Sequence, residues 1–397
     1  MPEDGAASPV RPARAVSGSE LKQIALSFLR LGTIAFGGPA AHIAMMEEEF
    51  VRRRRWVSQA DFLDMLGASN LIPGPSSTEM AIHIGHQRAG WRGLIAAGTS
   101  FILPAMLMVM VCAWAYVAFG ALPPIQRVLY GIKPVIIAIV LQALWRLARS
   151  AVKDMLLAVI ALLAVAAALA SRNILIILLA AGFAAMLQGW SRERVAYANP
   201  AALSTIKSLL APAAVAVATV PVGLSGLFLL FLKFGSVIFG SGYVLLAFLQ
   251  ADLVNRLHWL TQAQLLDAVA VGQVTPGPVF TTATFIGYLL GGIPGALVAT
   301  LGIFLPGFLL VAASRLLIPR IRGSKVAGAF LDGVNAVAVG LMIAVTWQLS
   351  RAAMVDSLTG GIAALSALFL IYFRISSAWL ILAGGFIGLI AKRWLGG

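Results

Sequence analysis

Apolar segments recur along the whole chain, and several reach the length of about 20 residues that crosses a lipid bilayer. Hydrophobic residues make up 60% of the 397 positions and charged residues 11%, whereas soluble domains contain about 25% charged residues. The strands of a membrane barrel would instead alternate in polarity over about ten residues. The sequence therefore predicts an all-α polytopic membrane protein. The apolar segments lie near residues 21–46, 60–88, 93–119, 126–146, 153–170, 173–190, 208–250, 263–288, 294–318, 328–349, 355–373 and 376–393.

The chain contains an internal repeat. Residues 28–37 align with residues 231–240, and the register holds without a gap as far as two Pro-Gly-Pro sequences, at 73–75 and 276–278. Beyond that point the second copy loses one residue, and the alignment then continues to Trp347. Two copies of one membrane unit are a common construction in secondary transporters.

The repeat divides the chain into four parts. Residues 1–19 are rich in Pro, Ala, Ser and Arg and lack an apolar stretch, which predicts a disordered tail and no cleavable signal peptide. The first repeat is expected over 20–198 and the second over 222–397, with a linker or interfacial segment at 199–221. Because each repeat contains interrupted or re-entrant helices, we expect about 10–13 membrane segments.

The basic residues predict that the second repeat is inverted in the membrane relative to the first, because positively charged loops face the cytoplasm. In the first repeat an arginine run at 52–55 follows the first apolar segment. In the second repeat the basic residues come later, at Arg315, Arg320, Arg322 and Lys325. We therefore interpret the net charge of +14 as cytoplasmic loops beside lipid headgroups, and we expect no nucleic-acid partner.

Each repeat contains a Pro-Gly-Pro break that an α-helix cannot continue through. A helix that starts just after such a break, as at Ser76, points unpaired N–H groups and a partial positive charge into it, which favours an anion. Interrupted helices at corresponding positions of two repeats are typical of a transporter's substrate site; a kink with only a packing role is the alternative. The residues expected at the substrate, including Gly-rich breaks in the first apolar segments, are Gly37, Gly38, Asn70, Pro73, Gly74, Pro75, Ser76, Ser77, Thr78, Gly240, Ser241, Gln273, Pro276, Gly277, Pro278, Thr281 and Thr282.

Two cations lie at equivalent positions inside the first apolar segments. Arg30 and Lys233 each have apolar residues on both sides, and a charge inside the membrane is costly and usually functional. We expect both to bind the substrate by balancing the charge of a dianion. The alternative is that the two side chains snorkel to the membrane interface.

Glu79 and His83 are candidates for proton coupling. They lie four residues apart after the first Pro-Gly-Pro sequence, on one helix face with Ser76. The second repeat has Thr282 and Ile286 at these positions, so we expect only the first repeat to bind a proton there. The structural alternative for Glu79 is an acid that completes a helix cap.

Two aspartates are further candidates for proton coupling. Asp64 and Asp267 occupy equivalent positions of the two repeats, in the segments that lead to the Pro-Gly-Pro breaks. They are alternatives to Glu79 as proton carriers, or ion-pair partners of Arg30 and Lys233.

The sequence predicts neither a metal site nor a cofactor. The histidines His42, His83, His86 and His258 show no metal-ligand spacing beyond the pair 83/86. The chain has no H-E-x-x-H sequence, no phosphate-binding loop and no G-x-S-x-G sequence. We therefore do not expect an enzyme.

The motifs together resemble those of the chromate ion transporter family. The stretches that carry the resemblance are residues 36–39, 70–75, 78–85, 90–93 and 101–104 in the first repeat, and 239–242, 276–278 and 304–307 in the second. The resemblance covers residues from about 20 to 395, so the chain looks like a bidomain member. Membership implies export of chromate from the bacterial cytoplasm, driven by the proton gradient, and chromate resistance.

We therefore expect a multi-pass secondary transporter in the bacterial inner membrane that exports chromate in exchange for protons. A transporter of sulfate, which has the same shape and charge, or of another oxyanion is the first alternative, and a passive anion channel is the second. The expected partners are chromate or sulfate and the lipid bilayer, with a homodimer left open.

Overall fold

The computed structural model describes residues 17–170, 174–194, 223–239, 242–322, 325–373 and 375–394. These residues form helices joined by turns, and no strand occurs among them. The predicted linker 199–221 lies outside the described residues, and α1 begins at Gly18, inside the segment predicted as a tail. The first repeat contains α1 (Gly18–Ile34), α2 (Gly38–Met46), a π-helical turn (Glu47–Arg53), α3 (Gln59–Ser69), α4 (Ser76–Phe119), α5 (Pro123–Ala151), α6 (Met155–Leu169) and α7 (Ile174–Arg194).

The second repeat has the same order of elements, which confirms the duplication. The irregular positions recur as well: Arg55 and His258 both have left-handed backbones, with φ of 52° and 53°. Helical geometry is interrupted at Gly90 in α4 and at Gly292 in α11. The elements are α8 (Leu224–Val237), a 3-10 turn (Gly242–Val244), α9 (Leu245–Leu249), a π-helical turn (Gln250–Arg256), α10 (Gln262–Val274), a 3-10 turn (Val279–Thr281), α11 (Thr282–Arg322), α12 (Lys325–Ala353), α13 (Ser357–Ile371) and α14 (Ser377–Trp394).

The apolar helices confirm the all-α polytopic membrane class. In the described part of the chain, four segments are long and apolar enough to cross a bilayer: Ser76–Phe119, Pro123–Ala151, Val279–Ser314 and Gly328–Ala353. Shorter apolar helices, such as Met155–Leu169, are about 22 Å long, less than the hydrocarbon thickness of about 30 Å. The number of crossings stays a prediction.

The two repeats exchange their last helices. The equivalent helices α5 and α12 pack against each other; α13 and α14 of the second repeat pack on α5, while α6 and α7 of the first pack on α12. Glycines allow this close approach, because a Cβ atom at Gly131 in α5 would collide with the carbonyl oxygen of Gly384 in α14. Gly333 in α12, the counterpart of Gly131, faces the carbonyl oxygen of Ala181 in α7 in the same way.

The central helices α5 and α12 run antiparallel. Near the start of α5, the Tyr130 hydroxyl donates a hydrogen bond to Asp356, just beyond the end of α12. Near the start of α12, Asp332 lies 2.7 Å from the Nζ atom of Lys153, just beyond the end of α5. Equivalent helices that cross in opposite directions are what inverted-topology repeats require.

We predict that Gly131→Ala destabilises the bundle. The new methyl group would force α5 and α14 apart, and overpacking of this kind costs about 1–3 kcal/mol. The midpoint of thermal unfolding in detergent should fall by several degrees. Gly361→Ala in α13 is the matched control, because a Cβ atom there meets nothing within 4 Å; it should leave the midpoint unchanged or slightly raised. Equal midpoints for the two variants would contradict the exchanged packing.

Candidate functional site

The two Pro-Gly-Pro breaks are joined to the first helix of the opposite repeat by reciprocal hydrogen bonds. The Gly74 N–H donates to the carbonyl oxygen of Ile238 at 2.7 Å, and the Gly277 N–H donates to that of Ala35 at 2.9 Å. Ala35 and Ile238 are equivalent residues that end α1 and α8. The structure therefore brings together interruptions that lie about 200 residues apart in the chain.

These breaks require glycine. Gly74 and Gly277 have left-handed φ angles of 135° and 96°, which L-residues with a side chain rarely adopt. A Cβ atom at Gly277 would also lie 2.6 Å from the Cβ atom of Ala105 in α4. The flanking prolines Pro73, Pro75, Pro276 and Pro278 lack an N–H group, so these buried turns contain fewer backbone donors that need a partner.

The first turns of α4 place a polar cluster in the interior. Ser76, Ser77, Thr78, Glu79 and His83 are all buried, and Glu79 is 0% exposed. Among the described residues, no hydrogen-bond partner is found for the Thr78 hydroxyl, for either carboxyl oxygen of Glu79 or for Nε2 of His83. The Glu79 carboxyl group contacts the position where Gly74 lacks a side chain. Buried polar atoms without partners are costly, so a cluster of them indicates a binding site.

His42 in α2 also belongs to this centre, and it was not among the predicted site residues. Its Nε2 atom lies 3.0 Å from the Ala35 carbonyl oxygen, and its Nδ1 atom lies 3.2 Å from Ser77 Oγ. A carbonyl oxygen only accepts, so Nε2 donates and Nδ1 accepts from the Ser77 hydroxyl. Because Ala35 also accepts from Gly277, this chain of bonds links three helices to the second repeat. The signal in the sequence is a histidine in an apolar stretch just after Gly37-Gly38-Pro39.

At the equivalent break in the second repeat, the threonine hydroxyl groups are bonded to the backbone of their own repeat. The hydroxyl groups of Thr281 and Thr282 donate to the carbonyl oxygens of Pro278 and Val279, each at 2.8 Å. Thr282 takes the place of Glu79, and the apolar Ile286 takes the place of His83. The polar cluster is therefore a property of the first repeat.

Gln273, just before the second break, is partly bonded. Its Oε1 atom accepts from the Tyr243 hydroxyl at 3.4 Å, while no partner for its Nε2 atom is found in the described part of the chain. Asn70, its counterpart, is exposed. The predicted site residues Gly240 and Ser241 lie outside the described residues.

The cations expected at the substrate lie in unequal surroundings. Arg30 is exposed on α1. Lys233 Nζ lies 2.6 Å from Asp252 Oδ2, and the other oxygen of Asp252 lies 3.1 Å from Arg256 Nε. Lys233 is therefore held by an acid of its own repeat, and its contact with a substrate stays a prediction.

The two equivalent aspartates also differ. Asp64 is exposed, whereas Asp267 is 3% exposed. Asp267 pairs with Lys133 of α5 at 3.0 Å and accepts from the Tyr116 hydroxyl of α4 at 2.9 Å. The ion-pair partner of Asp267 is therefore Lys133 of the first repeat and not Lys233. This pair forms because α10, which contains Asp267, packs against α5. No group of three His, Cys, Asp or Glu side chains that could hold a metal ion is found among the described residues.

Two inverted repeats whose interrupted helices meet at a buried polar cluster have the architecture of a secondary membrane transporter. The family model described as "Chromate transporter" matches the chain twice, over residues 22–186 and 225–389. The chain therefore belongs to the chromate transporter family.

Relatives of similar length extend this comparison. A chromate transport protein of Cupriavidus metallidurans is 35% identical over 383 residues, which cover 94% of this chain and 93% of that protein. A chromate transport protein of Pseudomonas aeruginosa is 33% identical over 92% of this chain and 91% of its own length. A probable chromate transport protein of Synechococcus elongatus is 33% identical over 85% and 86%. No solved structure matches the chain.

We predict that Ser77→Ala destabilises the protein. The change leaves His42 Nδ1 buried without a donor, which costs about 1–3 kcal/mol. The unfolding midpoint in detergent should fall by a few degrees. Ser76→Ala, one residue earlier in the same buried turn, removes no hydrogen bond to His42 and should have a smaller effect. If Ser77→Ala and Ser76→Ala unfold at the same temperature, the hydrogen bond between Ser77 and His42 does not stabilise the protein.

Proposed function

We propose that the protein exports chromate from the cytoplasm across the bacterial inner membrane, coupled to the proton gradient. The observation that carries this proposal is the cluster of unpartnered polar atoms on Thr78, Glu79 and His83, buried beside the first Pro-Gly-Pro break. Relatives at 33–35% identity over most of the chain are named as chromate transport proteins.

The start of α4 is the best-supported place for a tetrahedral dianion. The N–H groups of Thr78 and Glu79 already donate to the Pro75 carbonyl oxygen. The amides of Ser76 and Ser77 precede them and have no partner within the helix. These amides, the positive end of the helix dipole and the Thr78 hydroxyl would bind anion oxygens. The Gly74 and Gly277 amides already donate between the repeats, and the Thr281 and Thr282 hydroxyl groups donate to their own backbone, so we propose the first break alone as the anion site.

Glu79 is the proton carrier in this proposal. Its carboxyl group is fully buried and faces Gly74 of its own repeat and Gly307 of the other. Burying an unpaired charge is costly, so a group in this position is suited to bind a proton and to release it when the site opens. Thr282 at the equivalent place cannot do this, so one repeat would handle the proton and both would move.

The position of Glu79 also bears on the direction of coupling. A dianion and an ionised carboxylate repel each other. Export in exchange for protons therefore requires the amides at the start of α4 to hold the anion far enough from the Glu79 carboxyl group for it to bind while Glu79 is ionised. If proton and chromate instead bind together, they move in the same direction, and an inward proton gradient would drive uptake, which would contradict the proposed export. Recording the internal pH of proteoliposomes during chromate flux distinguishes exchange from movement in the same direction.

We predict that Glu79→Gln abolishes the response of chromate flux to an imposed pH gradient in proteoliposomes, with gradient-driven accumulation reduced about tenfold or more. Glu79→Asp, which keeps the carboxyl group, should retain part of the response. Glu48→Gln, the same change on an exposed acid, is the matched control and should behave as wild type. Wild-type flux that ignores the gradient would indicate a passive channel, and sulfate transported in preference to chromate would indicate a sulfate carrier.

A further inference from the structure

A cavity of about 480 Å³ opens at the interface of the two repeats, away from the Pro-Gly-Pro breaks. It lies between the start of α5 and the end of α12, which meet because these helices are antiparallel. Its lining residues come from both repeats: Ala121, Pro123, Gln126, Arg127, Tyr130, Lys133, Ala352, Ala353 and Val355.

The charge of this cavity is positive. Both charged side chains that line it, Arg127 and Lys133, are cations. Arg127 is half-buried and has no ion-pair partner among the described residues, so its guanidinium group is available to a ligand. Two acids contact side chains of the lining: Asp356 accepts from the Tyr130 hydroxyl, and Asp267 pairs with Lys133.

Further features of the wall favour an anion. Helix α5 begins at Pro123, which lines the cavity, so the positive end of its helix dipole lies beside the space; Pro123 and Pro124 contribute no N–H group, and the Arg127 and Lys133 side chains are the donors. Planar guanidinium groups bind oxyanions through paired hydrogen bonds. A water molecule takes up about 30 Å³ in the liquid, so the cavity holds a tetrahedral oxyanion together with part of its hydration shell.

Lys133 connects this cavity with the helix that leads to the second break. Its ammonium group lies 3.0 Å from Asp267, and its side chain is 19% exposed and lines the cavity. Asp267 belongs to α10, which ends at Val274, immediately before the second Pro-Gly-Pro sequence. An anion in the cavity would compete with Asp267 for Lys133 and so act on α10.

We propose that this cavity is a second binding site for a tetrahedral oxyanion dianion, a vestibule in which Arg127 and Lys133 are the binding residues. It lies at the end of the bundle with the uncharged loop 120–124, which the basic residues place outside the cytoplasm. Its role as an exit vestibule rests on the proposed export, whereas binding in it can be measured without transport.

The test is protection of a single thiol in the full-length protein. Cys112 is the only cysteine of the chain, so Cys112→Ser with Gln126→Cys places one thiol in the cavity wall. Sulfate, which does not oxidise thiols, is the probe, and chloride at equal ionic strength is the control. We expect millimolar sulfate to slow maleimide labelling and chloride not to. Adding Arg127→Gln should raise the half-protecting sulfate concentration about tenfold, which corresponds to about 1.4 kcal/mol, whereas Arg127→Lys should raise it less.

The matched control is Arg92→Gln, the same loss of charge just after the interruption at Gly90 of α4, about 40 Å along the helix from its end at Phe119; protection should persist. The vestibule is ruled out if sulfate and chloride protect equally, if Arg127→Gln leaves protection unchanged, or if the introduced thiol is unreactive. The Glu79→Gln change separates this proposal from the transport proposal. When it is added to the labelling variant, sulfate should still protect the introduced thiol, because the cavity lies away from Glu79. If sulfate protects the thiol but the wild-type protein transports no chromate, export is refuted and the vestibule stands.

Discussion

A bilayer offers no hydrogen bonds, so non-helical backbone at membrane depth must be satisfied by the protein itself. This constraint explains the centre of the molecule. Each Pro-Gly-Pro break uses prolines to remove donors, and its remaining glycine N–H donates to the carbonyl group that ends the first helix of the other repeat. In each repeat the acceptor for this N–H group comes from the other repeat. The two halves are therefore interdependent, and the exchanged packing of α6, α7, α13 and α14 extends this dependence to the periphery.

The scaffold is symmetric, but its chemistry is not. Glu79 and His83 correspond to Thr282 and Ile286, and His42 corresponds to Leu245. At the second break the threonine hydroxyl groups donate to nearby backbone carbonyl oxygens. At the first break, polar atoms without partners among the described residues lie in the interior. Duplication supplies the two-fold framework that an alternating-access movement needs, and the asymmetry leaves the unpartnered buried polar atoms of the two breaks mainly in the first repeat. The reciprocal backbone bonds are the natural points around which one repeat would rock against the other.

Much of the fold was predictable from the sequence, because both repeats contain Gly and Pro residues at matching positions, and these residues interrupt α-helices. The interruptions at Gly37, Gly74, Gly277 and Gly292 follow from backbone chemistry alone. The reversal of the basic residues indicated inversion, and the antiparallel α5 and α12 agree with it. The exchange of the last helices was not predictable, since uniformly apolar helices such as α6 do not specify which neighbour they pack against.

The partners of the charged residues were also hidden from the sequence. Alignment of the repeats pairs equivalent residues, such as Asp64 with Asp267, but physical contacts join residues across the two-fold relation. Lys133 therefore pairs with Asp267, and the carbonyl group of Ala35 lies between His42 and the amide of Gly277. Contacts of this kind depend on the three-dimensional arrangement and leave no spacing pattern in the chain.

The central claim is that the oxyanion binds beside the first break. The most direct measurement is the position of chromium in crystals of the full-length protein with chromate, located by its anomalous scattering. The arrangement predicts a peak within hydrogen-bonding range of the Ser76 and Ser77 amides or the Thr78 hydroxyl. Chromium bound elsewhere, with no peak at the start of α4, would contradict it.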